Sequence, residues 1–152
     1  MAADHRTTTS TRIHLDLALA LLDAARTEAA ATDLHIALAV VDPAGVIILS
    51  ARAGEANFAA LEVATDKAYT AAAWRAPTSA WAELTTPGAP GWGMAGSLSG
   101  RAVVLAGGVP IWDENGQFLG GLGVSGGLPH QDEAVAGRAL TACGLTAAPP
   151  TG

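Results

Sequence analysis

The chain has one cysteine, Cys143, and one lysine, Lys67, in 152 residues. A lone cysteine forms no internal disulfide, and its neighbours Ala142 and Gly144 carry no charge to stabilise a thiolate, so it reads as packed filling. Charged residues make up 14% of the sequence, against a usual share of about 25%. A monomer so short of polar side chain cannot cover its own surface, and part of that surface is expected to meet other subunits. The net charge of −6 comes with no cluster of Arg and Lys, which argues against a nucleic-acid footprint. No run reaches the roughly 18 apolar residues of a membrane span, and Asp16, Asp23 and Arg26 interrupt the most apolar segment. The opening MAADHRTTTSTR has no apolar stretch of the secretory kind, so a cytoplasmic location is expected. No HxH, HExxH or CxxC spacing occurs, which argues against a tightly held structural zinc, and no GxxxxGK[ST] loop is present to cradle phosphates.

What the chain does have is apolar residue, alanine and glycine. At 50% hydrophobic it supports one domain with a real core. The domain is expected over residues 10–146, between disordered polar tails at 1–9 and 147–152. Thr9, Ser10 or Thr11 can cap a helix running to about Ala31. Leu34 to Asp42 and Val46 to Arg52 read as strands around the turn Pro43-Ala44-Gly45. Asn57 to Trp74 has helical composition and stops before Pro77, and a short helix is expected over Thr78 to Leu84. TTPGAPGWGMAGSLSG, residues 85–100, reads as a mobile loop carrying Trp92. Arg101 to Ala106 is a further apolar run. Val109 to Trp112 and Phe118 to Val124 flank Asp113-Glu114-Asn115-Gly116, a strong hairpin signal. Pro129 to about Cys143 closes the chain as a helix, with Asp132 and Glu133 suiting its positive end. Consecutive hairpins imply an α+β fold, an antiparallel sheet with helices packed on it.

Glycines cluster in the last hairpin, where they bare the main chain. Gly107, Gly108, Gly123 and Gly126 are therefore expected to let a ligand or a neighbouring chain approach closely. Lys67 shares a helical stripe with Val63, Thr70, Ala71 and Trp74 and has no carboxylate three or four residues away. It reads either as an ammonium for a ligand carboxylate and a potential catalytic amine, or as the partner of a distant Asp or Glu. His130 lies between the glycine loop and the acidic helix start, where it can ligate haem iron, move a proton or simply face solvent. His35 begins a strand, His5 lies in the tail and His14 on the first helix. Asp132 can cap the final helix or transfer a proton. Arg52 ends a strand and can clamp a carboxylate. Gly123 to Gly127 match GxSxG literally, but the antiparallel setting is not that of a nucleophile elbow, so Ser125 reads as a ligand contact or a turn cap. The glycines form no dinucleotide fingerprint, since no βαβ unit surrounds them.

The blocks AVVDPAGVIILSAR (39–52), DKAYTAAAWRAPT (66–78), GGVPI (107–111), GVSGG (123–127) and QDEAVA (131–136) together resemble the haem-binding, haem-degrading HbpS-like family, which is related to GlcG and to the C-terminal domain of PduO. The likeness runs from about Thr11 to Leu140. It implies a profilin-like five-stranded antiparallel sheet, a homo-oligomer and haem as a ligand. On that footing the chain is expected to bind haem and to assist its degradation or storage; the resemblance carries over no axial ligand, and the residues themselves offer His130 for the iron, Lys67 for a propionate and Trp92 for the wall of the pocket. Two other readings stand beside it. One is a cofactor-free isomerase, hydratase or lyase acting on a small carbonyl or carboxylate compound, using Lys67, Arg52, His130 and Asp132. The other is a sensor or scaffold subunit without chemistry.

Overall fold

A computed structural model describes residues 7–151. Helix α1 (Leu15–Ala30) leads into the hairpin β1 (Ala37–Val41) and β2 (Ile47–Arg52). Helix α2 (Phe58–Trp74) follows, then the hairpin β3 (Gly108–Trp112) and β4 (Phe118–Ser125), then α3 (Pro129–Ala142). The strands form one four-stranded antiparallel sheet in the order β2-β1-β4-β3.

Both hairpin turns close in the same way. The Asp42 carboxylate accepts the Ala44 and Val46 N–H groups, and the Asp113 carboxylate accepts those of Asn115 and Gln117. Each aspartate thus holds its turn from one end.

Alternation along the strands divides the sheet faces. Leu38, Val40, Val109, Ile111, Leu122 and Val124 face α1 and α3 and build the main core with Leu21, Val135 and Leu140. Ala37, Ala39 and Val41 face α2, against Ala60, Ala64, Ala68 and Ala72. This second interface is thin because both sides are small. A Cβ on Gly121 would overlap the Ala68 carbonyl, and one on Gly123 the Ala64 carbonyl, so α2 rests its main chain directly on β4.

Several expectations are corrected. The sheet has four strands among the described residues where five were expected, because Arg101 to Ala106 forms no strand. Side chains satisfy that segment's backbone instead. Thr70 accepts the Val103 N–H, its own hydroxyl donating back to the Asp66 carbonyl, while Thr78 donates to the Leu105 carbonyl and accepts the Gly108 N–H. Pro110 also bars a fifth strand beside β3. The Val124 to Gly107 hydrogen bond fixes the alternation of the ladder, so Pro110 stands where an outward N–H would otherwise point.

Helix α1 starts at Leu15, with His14 as an N-cap whose side chain makes no capping hydrogen bond, later than the Thr9 to Thr11 caps expected. Ile13 is the reason: it is drawn into the core beside Ala18, a hydrophobic staple that holds the entering chain extended. The helix expected over Thr78 to Leu84 is a single turn, Thr78–Trp81. Of the expected tails, Thr7 to Thr9 and Ala148 to Thr151 are exposed, and residues 1–6 and 152 lie outside the described residues.

Candidate functional site

Helix α2 is held at its start by Asn57, whose side chain accepts the Ala60 N–H at 2.9 Å. Its sheet-facing stripe of alanines is interrupted by Lys67, which is 2% exposed. With α2 lying so close to the sheet, the lysine side chain can run past the end of β3 to the opposite layer. There Nζ donates to the Val124 carbonyl at 3.0 Å and to Asp132 Oδ2 at 2.8 Å. Asp132 is in the first turn of α3, where the helix dipole favours a negative charge, and its Oδ1 accepts the Gly127 N–H at 2.9 Å. Each charge is therefore hydrogen-bonded as well as paired, as a buried ion pair requires.

Gly107 makes the crossing possible. A Cβ there would lie 2.6 Å from Lys67 Nζ and 2.8 Å from the Asp132 Cβ. The surrounding segments are tied down too: the Ser79 hydroxyl donates to Glu133 Oε1, the Leu128 N–H to Gln131 Oε1, and the Arg101 guanidinium to Asp66 Oδ1 while stacking on Tyr69.

The structure thus brings together Lys67, Asp132 and Gly107. Gly108 and Gly123 lie under the α2 backbone, against the Lys67 and Ala64 carbonyls, so the main chain they bare meets a helix of the same molecule. Ser125 is buried at the end of β4, in register with Ala37, which is in register in turn with the exposed Arg52. Gly126 packs on the His35 carbonyl. His130 is exposed on the first turn of α3, and Trp92, 65% exposed, lies in the loop between α2 and β3. Cys143 is partly buried, and burial raises its thiol pKa. No three His, Cys, Asp or Glu side chains come together as a metal site among the described residues. No described helix is long and apolar enough to cross a membrane.

One feature escaped the reading of the sequence. Where the chain enters α1 it crosses the hairpin turn, forming a cleft of about 300 Å³ lined by Arg12, His14, Leu15, Val46, Ile47 and Ile48, with Asp42 and Ile13 completing it. Val46 is 61% and Ile47 50% exposed, an apolar wall left open beside an imidazole and a guanidinium. The signal was the triplet Arg12-Ile13-His14, but its significance depends on a turn more than 25 residues away. A larger cleft, about 560 Å³, lies at the other end of α1 among Asp23, Arg26, Asp33 and His35.

Comparison with known proteins identifies the lineage. The pattern of the family described as haem degrading protein HbpS-like matches residues 13–141. The chain belongs to the HbpS-like family. Among relatives in this family, the corrinoid adenosyltransferase PduO of Salmonella typhimurium is 34% identical over 107 residues, 70% of this chain and 32% of PduO. The chain therefore spans about a third of that protein's length. Among solved structures, Klebsiella pneumoniae protein ORFY superposes with a TM-score of 0.88 at 26% identity, covering 93% of this chain and 97% of that one. A structure described as a PduOC:haem complex superposes with a TM-score of 0.84 at 29% identity, covering 91% and 99%.

Proposed function

We propose that this HbpS-like chain binds haem in the cleft where α1 meets the β1–β2 turn, as part of a homo-oligomer that stores haem or assists its breakdown. The observation that carries the reading is the likeness along nearly the whole chain to a relative described in complex with haem. The cleft fits the chemistry of the group. Haem needs a nitrogen or sulfur donor for iron, a cation near its propionates and an apolar wall. His14, Arg12 and the Leu15, Val46, Ile47 and Ile48 side chains offer these in one place. Bound haem would supply the redox and oxygen chemistry, while the protein holds and shields it.

His130 is the competing iron ligand. It sits beside Leu128, 60% exposed, on a helix turn anchored by the Lys67–Asp132 pair. Lys67 and Asp132 enter this reading as the pair that positions that turn. As the acid and base of a cofactor-free enzyme they are less well placed, since both are nearly inaccessible to a substrate.

Haemin titration of the purified protein tests the proposal. A saturable Soret band that is lost in His14→Ala and retained in His130→Ala supports the cleft. Loss in His130→Ala alone moves the site to α3, and absence of stoichiometric binding overturns the proposal.

A further inference from the structure

The two edges of the sheet are built differently. Along β3, Thr78 takes the Gly108 N–H, Pro110 offers no donor, and Trp112 is bridged to Thr146. That edge is closed. Along β2, the sequence Ile47-Ile48-Leu49-Ser50-Ala51-Arg52 contains no proline and no lysine, two usual guards of an open edge, and its one irregularity is a register shift at Ile48. The Ala53 N–H donates to the Ile36 carbonyl, and the register Ala37↔Arg52, Ala39↔Ser50 then turns the main-chain N–H and C=O of Ser50 and Arg52 away from β1.

Side chains beside this edge are complementary in charge. Ser50 and Arg52 share the face of Ala37 and Ala39, the face covered by α2. A groove of about 310 Å³ runs there between β2 and α2, lined by Ser50, Leu61, Glu62, Thr65 and Asp66. Asp66 is committed to Arg101. Glu62 and Arg52 are both exposed, and neither has an ion-pair partner among the described residues.

We infer that the β2 edge is the docking surface for a second copy of this chain, paired antiparallel about a two-fold axis at Ser50, which joins the two sheets into one. In that arrangement Ser50 faces its own counterpart, and Arg52 of each copy lies two residues beyond the axis, over the partner's groove and within reach of Glu62. A two-fold interface needs such self-complementarity, with each residue contacting its opposite number's partner. The pairing rests on the homo-oligomer of the proposed function and gives it an interface, without involving the haem cleft.

Light scattering during size exclusion of the haem-free protein tests it. The wild type should run as a dimer or a multiple of one. Arg52→Glu should raise the dimer dissociation constant at least about tenfold by setting like charges together, and the exchange R52E/E62R should restore it. Ser50→Pro removes a donor that points outward, so it should dissociate the dimer while leaving the internal ladder and the circular dichroism spectrum intact. A monomeric wild type overturns the inference, as does a dimer indifferent to both Arg52→Glu and Ser50→Pro.

Discussion

Lys67 Nζ stands 2.8 Å from Asp132 Oδ2, across 65 positions of sequence, with the two side chains 2% and 3% exposed. The contact joins the helix on one face of the sheet to a helix on the other. Removing one partner leaves a buried charge uncompensated, at a cost of about 3–5 kcal/mol. Lys67→Met and Asp132→Ala should each lower the unfolding free energy by about that amount. The double variant should lose clearly less than the sum of the two. Urea denaturation measures all three, and additive losses would show that the two residues are not coupled.

Gly123→Ala places a methyl group where the Ala64 carbonyl lies. The helix must then lift from β4, and overpacking of this kind costs about 1–3 kcal/mol. Gly137, whose Cβ would meet nothing within 4 Å, is the control. Gly137→Ala should leave stability unchanged or raise it by up to about 1 kcal/mol, as removal of a helical glycine does. Equal thermal midpoints for the two variants would refute the close contact.

Arg12 is expected to contribute charge rather than coordination to haem binding. Arg12→Ala should weaken haemin binding about tenfold, equivalent to roughly 1.4 kcal/mol, without moving the Soret maximum. His14→Ala should alter the band itself. A shifted maximum in Arg12→Ala would mean that the guanidinium acts at the iron.

Burial raises the Cys143 thiol above its ordinary value of 9.0. The folded state thus favours the protonated form, so the associated stability is complete below pH 9 and declines as pH rises through the folded-state value. Iodoacetamide at pH 8 should modify the native thiol more slowly than the thiol of the urea-unfolded chain. The loss of stability above pH 9 should be shallower in Cys143→Ala. Equal labelling rates in the two states would contradict the shift.

Elements set by local chemistry were legible in the residues. Asn57 marks the start of α2, Pro129 that of α3, and the two aspartate-led turns both hairpins, because each signal and its effect lie within a few positions. Arg101 to Ala106 misled for the converse reason. Its apolar pattern suits a strand, but Thr70 and Thr78 claim its backbone groups from 33 and 27 residues upstream, and that competition leaves no local trace. Lys67 could be picked out as unpaired within its helix, although its partner in α3 could not be specified. The glycines of the last hairpin mark a close approach, but by α2 of the same molecule and not by the ligand or neighbouring chain expected of them, because that outcome depended on the packing of the whole sheet. The Arg12–His14 cleft was invisible for the same reason.

Pro110 and Thr78 together stopper one flank of the sheet. A protein with a single adhesive flank cannot string itself into fibres, because one joining event uses up every strand able to recruit another. Larger assemblies would have to grow through helices and loops, leaving their sheets in pairs.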